Sequence, residues 1–309
     1  MTHNQRRSTT VPATAISAEA QFERWKSWSP RTWAHRRFLQ HHTELNQMYW
    51  AHAVPAAAHR YFLTNYSGPW PPTNWSVFQS QSKSELYNDP VVYRRAYDAF
   101  LNWTRLSAVM ALHSYFETFL RSVATAALES DPGLLIGAPG AADGFVLLRR
   151  VTSYSYSDVA RKISEGSWPD RLTHFRRLFG VVPPRLEARS AELDALRRMR
   201  HNVGHYFGRD LALKDQVRLG DGEMERVKES RLTGWLDAVY EAAQSVEDVL
   251  IRHIGAYELL RSFHDLKQSN AVTSESEIKV FKKLVGREYG SSPAKSYVTG
   301  LVAYYREAA

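Results

Sequence analysis

Apolar residues recur at helical spacing along most of the chain, and the longest such run follows Asp89 and Pro90. Placed on a helix, its apolar positions form one broad surface: Phe100, Trp103, Leu106, Val109, Met110, Leu112, Phe116, Phe119, Leu120 and Val123. Asp89 is a favourable N-cap residue, and Pro90 fits the first helical turn. The pattern predicts a central core helix over residues 90–128.

Amphipathic patterns on both sides of this run predict further helices. They cover residues 31–53, 158–163, 169–179, 231–264 and 275–285, the stretch 196–208, and a last helix from Ser292. Gly180 is a typical helix stop, and Ser274 with Glu277 forms a capping box. The long helix over 231–264 is expected to pack against the central helix and complete a bundle. The predicted fold class is therefore all-α.

Proline, glycine and short alternating patterns predict the breaks between these helices. Pro55 should end or bend the first helix, and residues 67–73 (SGPWPPT) predict a linker. Residues 152–157 predict a short strand or capping stretch, and residues 208–223 a two-stranded ribbon or irregular loop. The chain then divides into a disordered lead (1–20), an N-terminal helical extension with linker (21–87), a helical bundle (88–264) and a small C-terminal helical appendage (265–309).

Composition narrows the possible chemistry. Cysteine is absent, which excludes disulfides, thiolate catalysis and cysteine-bound zinc. No apolar run is long enough to span a bilayer, so we predict a cytoplasmic protein without a membrane partner. The formal net charge of +8 favours an anionic partner such as nucleic acid. Aromatic residues crowd the 67–73 linker, and we favour packing for them over stacking on RNA bases.

The most unusual stretch is residues 196–208, LRRMRHNVGHYFG. It concentrates cations and imidazoles on one short helical segment: Arg197, Arg198, Arg200, His201 and His205, with Asn202 among them. An imidazole can move protons near neutral pH, and a guanidinium can hold phosphate oxygens. The two groups suffice for attack of an RNA 2′-hydroxyl on its adjacent phosphate, without a metal or other cofactor. Arg200 and His205 lie about 140° apart on an ideal helix, so the predicted site is a broad cluster.

Arg200-His-Asn-Val-Gly-His205 resembles the signature of the HEPN family, in which an Arg and a polar residue precede a His by a few positions. His201 fills the polar slot where the family often has Asn. The upstream stretch 106–120 resembles the earlier family helix that often carries a Glu, matched here by Glu117. Residues 172–180 and 191–205 also resemble the RNA-cleaving branches of the family, and the whole resemblance covers residues 89–264.

The resemblance implies a HEPN-type α-helical bundle that forms a homodimer, with two motifs facing each other across one RNA cleft. It implies a metal-independent endoribonuclease of a toxin–antitoxin, phage-defence or stress system, held in check by an antitoxin or another regulatory protein. In this hypothesis His205 transfers protons and Arg200 stabilises the cleaved phosphate. His201, Asn202 and Arg197 position the RNA, and Glu117 orients the Arg200 or His205 side chain.

Several alternatives remain open at this point. His201 and His205 have the spacing of two zinc ligands, but Asn202 replaces the Glu of a metalloprotease motif and no third ligand is evident. Cations at a helix end also complement the helix dipole without any function. Glu117 fits equally well into a surface ladder with His113 and Arg121. Finally, a catalytically inactive RNA- or protein-binding helical module would retain the same residues.

Overall fold

A computed structural model describes residues 21–70, 89–150, 154–206, 224–269 and 276–308. All regular elements in these ranges are helices, which confirms the predicted all-α class. We number the α-helices as follows: α1 Trp33–Asn65, α2 Pro90–Ser130, α3 Gly144–Arg149, α4 Ser157–Ser164, α5 Trp168–Phe179, α6 Pro184–Ala188, α7 Ser190–Tyr206, α8 Glu229–Ile254, α9 Tyr257–Gln268, α10 Glu277–Tyr289 and α11 Lys295–Glu307. A 3₁₀ helix, Pro132–Ile136, follows α2.

The chain forms two compact units. The motif unit comprises Trp33–Thr125 and Tyr156–Val249, and the terminal unit comprises Met1–Thr32, Ala126–Ser155 and Leu250–Ala309. Both units combine segments that are distant in sequence, whereas the boundaries drawn from the sequence separate consecutive segments. Those consecutive boundaries stay a prediction.

Helix α2 supplies much of the core of the motif unit, as its apolar pattern predicts. The Asp89 carboxylate accepts a hydrogen bond of 2.7 Å from the Val91 N–H, so the predicted cap is present. Apolar side chains from α2, α4, α5, α7 and α8 are almost completely buried here: Val109, Leu112, Phe116, Leu120, Ile163, Phe175, Leu193, Leu196, Leu232 and Val239. The predicted helix over 169–179 is also confirmed as α5, which ends at Gly180 in the left-handed conformation with φ of 72°.

Helix α1 runs through Pro55 and continues to Asn65. Of the two predicted outcomes, an end or a bend at Pro55, the first is therefore wrong. Proline lacks an N–H, and the carbonyl of Ala51 one turn earlier loses its usual partner. Both Ala51 and Pro55 are exposed, so water can hydrogen-bond that carbonyl. The helix also begins at Trp33, two residues after the predicted start at Arg31.

The single long helix predicted over residues 231–264 is also wrong, because Gly255 separates α8 from α9. Gly255 has a φ of +54°, which favours glycine. The next N–H, on Ala256, donates a hydrogen bond of 2.9 Å to the carbonyl of Arg24. A contact with a residue far away in sequence therefore fixes this break, which periodicity alone does not reveal.

Arg24 is the polar centre of the terminal unit. Its side chain is 7% exposed and forms an ion pair of 2.8 Å with Asp143. The same guanidinium donates to the Ser130 hydroxyl at 3.0 Å and to the Ile254 carbonyl at 3.2 Å. Tyr304 also donates to Asp143, and burial raises the pKa of this phenol above its usual value. These bonds satisfy a cation that would otherwise be costly to bury.

Some predictions lie wholly or partly outside the described residues. They are the disordered lead over 1–20, the ribbon over 208–223, and Ser274 of the capping box. Of the stretch 152–157, the described residues 154–156 form no strand and lead directly into α4. No described helix combines the length and apolar character needed to cross a membrane.

We predict opposite effects of the same substitution at two glycines. In Gly255→Ala the new Cβ would lie 2.5 Å from the Arg24 carbonyl oxygen at a left-handed φ, so stability should fall by about 2 kcal/mol or more. In Gly234→Ala the Cβ would meet no atom within 4 Å on an exposed helical face. That variant should gain about 0.5–1 kcal/mol. Denaturant unfolding of both variants measures the difference, and a loss of stability at Gly234 would contradict this account.

Candidate functional site

Helix α7 carries the motif on its exposed side. Leu193, Leu196 and Met199 recur at helical spacing and are buried, so the remaining positions of the helix face solvent. His201, Asn202 and His205 are exposed, whereas Arg197 and Arg200 are half-buried. The structure thus brings the motif residues together at the last turns of the helix. The described part of this segment ends at residue 206.

The two imidazoles lie side by side. The ring centroids of His201 and His205 are 4.4 Å apart, with 54° between the ring planes. This is the contact expected for residues four apart on a helix. A proton or phosphate oxygen that reaches one ring is therefore close to the other.

The arginines of the motif differ in how their charges are balanced. Asp194 pairs with Arg197 at 2.9 Å and with Arg198 at 3.1 Å. Arg200 has no carboxylate within ion-pair distance among the described residues, and its buried Nε lacks a hydrogen-bond partner there. One carboxylate thus balances two neighbouring cations, whereas no carboxylate of the described ranges pairs with the permanent charge of Arg200.

His113 on α2 lies beneath the motif and is only 4% exposed. Burial, together with the charges of Arg171, Arg200 and Arg197, lowers its pKa from 6.5 to about 3. His113 Nδ1 lies 3.4 Å from a Glu117 carboxylate oxygen, without the alignment of a hydrogen bond. His113 is thus a buried, neutral side chain that lies close enough to the cations of the motif for their charge to disfavour its protonation.

Glu117 lies close by but binds a residue that the sequence pattern did not single out. Arg171 Nη2 donates to the Glu117 carboxylate at 2.9 Å, and His113 is the other ion-pair contact of Glu117 among the described residues. The prediction that Glu117 orients Arg200 or His205 has no such contact to support it. In the predicted ladder, Arg121 pairs with Glu165 instead of Glu117.

Arg171 is the largest side chain that is fully buried in the described structure. Its Nε donates to the Gly166 carbonyl at 3.1 Å, and its guanidinium lies 4.7 Å from the ring centroid of Trp168. The sequence does contain a pattern that predicts the burial of Arg171. Arg171 follows Trp168 by three positions and precedes Phe175 by four, so it occupies the apolar face of α5. An arginine on that face needs a carboxylate, and Glu117 supplies it.

The arrangement suits an anion rather than a cation. Across the described residues, no group of three or more His, Cys, Asp or Glu side chains is placed to hold a metal ion. The His201–His205 pair therefore has no third ligand within that part of the chain. Arg200, which pairs with no carboxylate of the described residues, brings a positive charge near an exposed pair of imidazoles, and such groups can bind a phosphate and transfer a proton.

We predict that His113 makes stability depend on pH. Below pH 6.5 the unfolded chain protonates this imidazole, whereas the folded protein does so only near pH 3. Stability should therefore fall as pH falls through this window, by up to about 1.4 kcal/mol per pH unit. Denaturant unfolding of His113→Gln between these pH values should give a shallower slope than the unsubstituted protein. Equal slopes would show that His113 does not carry this effect.

A double-mutant cycle can measure which cation Glu117 stabilises. Glu117→Gln and Arg171→Met should each cost about 3 kcal/mol, because each leaves a poorly solvated charge unpaired. The double variant should lose clearly less than the sum. As a control, Glu117→Gln and Arg200→Ala should add to within about 0.5 kcal/mol. Strong coupling to Arg200 instead would restore the predicted orienting role of Glu117.

Comparison with known proteins gave no match: none of the family models, curated proteins or solved structures compared with the chain is similar to it at a significant level.

Proposed function

We propose that this protein is a HEPN-type, metal-independent endoribonuclease with its site at the end of α7. The observation that carries the proposal is the guanidinium of Arg200, which pairs with no carboxylate in the part of the chain that the structure describes, on the same helix end as the exposed imidazoles of His201 and His205. A helix end that only complemented the dipole would gain little from burying part of an unpaired arginine. A phosphate group would supply the missing negative charge.

The reaction follows from these groups. The RNA 2′-oxygen attacks the adjacent phosphorus while His205 accepts its proton, and the bond from phosphorus to the 5′-oxygen breaks. The leaving 5′-oxygen takes up a proton from water, and His205 later releases its proton to solvent, so the products are a 2′,3′-cyclic phosphate and a 5′-hydroxyl. Arg200 stabilises the charge that grows on the phosphoryl oxygens. His201, Asn202 and Arg197 position the strand, and Asp194 restricts the Arg197 side chain by its ion pair.

The proposed assembly is a homodimer that places two such helix ends across one RNA cleft. In this proposal the protein acts in the cytoplasm, in a toxin–antitoxin, phage-defence or stress system, under control of an antitoxin or other regulatory protein. The excess of basic over acidic residues, +8 in formal charge, supports an RNA partner because phosphates attract a cationic surface at long range.

The decisive experiment is cleavage of total RNA by the purified protein in EDTA. Arg200→Ala and His205→Ala should each reduce cleavage by about 100-fold or more, since each removes a group that acts in the transition state. Arg198→Ala is a matched control, because Arg198 is 67% exposed and belongs to the same helix. It should retain most of the activity, and the products should carry 2′,3′-cyclic phosphate ends.

Equal loss of activity in the control variant would mean that general charge, and not the site, drives cleavage. Activity that persists in the Arg200→Ala/His205→Ala double variant would exclude this site. A protein that binds RNA but cleaves none would be the alternative, a catalytically inactive binding module.

A further inference from the structure

A second concave site lies in the motif unit, away from the residues of the motif. It is a cleft of about 590 Å³ formed by α1, α2 and residues 224–228. Its charged lining is mostly cationic: Arg60, Arg95, Arg105, Arg226, Lys228 and the carboxylate of Asp98. Cations that share one cleft repel each other, so such a lining needs negative charge from elsewhere.

Few of the cations in the cleft form ion pairs with carboxylates among the described residues. Asp98 pairs with Arg60 at 3.1 Å. Arg95, Arg226 and Lys228 are exposed, and none of them has a carboxylate within ion-pair distance among the described residues. Arg105 reaches the Val227 carbonyl only at 3.5 Å, and its buried Nε has no partner there. The cleft therefore presents several guanidinium and ammonium groups to an anion.

The short segment that carries Arg226 and Lys228 is firmly held. Buried Asn102 on α2 donates to the Glu225 carbonyl at 2.8 Å and accepts from the Val227 N–H at 2.9 Å. Val227 is 2% exposed, whereas both of its neighbours are exposed. This amide bridge anchors the backbone and leaves the two flanking cations in the cleft. The site is thus built before any ligand arrives.

An adjoining hollow of about 600 Å³ adds aromatic and neutral polar groups, together with the carboxylate of Glu229, which accepts a hydrogen bond of 3.2 Å from the Tyr49 hydroxyl. It shares Arg60, Leu101 and Arg105 with the cationic cleft. Tyr61 lines it and is 73% exposed, so this ring does not pack into the core as we expected for the aromatic residues near the linker. Exposed aromatic rings beside cations are what proteins use to hold single-stranded nucleic acid, stacking on a base while the cations hold phosphates.

We propose that this cleft binds a single-stranded part of the RNA substrate, with phosphates on Arg95, Arg226 and Lys228 and a base on Tyr61. The proposal rests on the proposed ribonuclease function and extends it.

Helix α2 connects the cleft with the motif, because it contributes Asn102 to the cleft wall and Met110 to the surface beneath the motif helix. A methyl group added at Gly204 would lie 3.6 Å from the Met110 side chain. Asn102 and Met110 are about 12 Å apart along the helix axis. A short single strand can therefore contact both places.

The test is RNA binding by a variant that lacks the free cations of the cleft. Arg95→Ala/Arg226→Ala/Lys228→Ala is compared with Lys162→Ala/Lys283→Ala/Arg287→Ala, which removes the same charge from exposed positions elsewhere. All proteins carry Arg200→Ala/His205→Ala, so the RNA stays intact. Anisotropy of a labelled single-stranded oligoribonucleotide is then measured over a range of salt concentrations.

The cleft variant should bind about tenfold more weakly, and its log–log salt slope should be shallower by about 2, because three phosphate contacts are lost. The control variant should stay within about twofold. Tyr61→Ala should weaken binding about tenfold, whereas Tyr61→Phe keeps the stacking ring and should restore it. The two tyrosine variants separate base stacking from a change in folding.

Failure of this inference is distinguishable from failure of the proposed function. If the protein cleaves RNA but the cleft and control variants bind equally, the inference is overturned and the function stands. If the protein cleaves nothing but the cleft variant alone loses RNA binding, the cleft is supported and catalysis is not. Absence of RNA binding by the parent protein, or displacement that needs only inorganic phosphate or a mononucleotide, would overturn the RNA assignment.

Discussion

The buried ion pair between Arg171 and Glu117 is the constraint on which the candidate site depends. A guanidinium that is 1% exposed must have a carboxylate, and Glu117 is the one within reach. That pairing leaves Glu117 committed to α5, so it does not balance the motif. His113 is neutral because of burial and the cations around it, so it adds no charge of either sign. Among the described residues, Arg200 is therefore left without a carboxylate partner.

Local sequence patterns were enough to predict those helix ends that carry a capping residue, a proline in the first turn or a glycine stop. Asp89 with Pro90, and Gly180, each act through neighbouring backbone atoms, so their effect can be predicted without knowledge of the fold. The errors came from distant contacts or from solvent. The break at Gly255 depends on the carbonyl of Arg24, and α1 continues through Pro55 because water can reach Ala51. Neither fact is encoded in the periodicity of the segment itself.

The candidate site likewise combines features that follow from local spacing with features that depend on the tertiary structure. The grouping of Arg197, Arg200, His201, Asn202 and His205 follows from helical spacing, which is local, and the structure places them together. The partner of Glu117 is determined by the tertiary structure, because Glu117 and Arg171 lie on different helices and are 54 residues apart in sequence. The resemblance to the HEPN family implied a carboxylate near the motif, but it could not show which cation Glu117 would bind. The position of Arg171 on an apolar face was the available signal.

Two cationic sites on one helical unit fit the proposed ribonuclease function, because a polymeric substrate can contact both sites. At the reacting phosphate, an interaction accelerates the reaction only if it is stronger in the transition state than in the bound substrate. Favourable binding free energy is better supplied by contacts with other nucleotides of the strand, because tight contacts there do not stabilise the uncleaved bond. The cleft anchored by Asn102 offers such a place, because Arg95, Arg226 and Lys228 pair with no carboxylate of the described residues. Strand contacts there would hold the scissile phosphate near Arg200 and leave the motif free to favour the transition state.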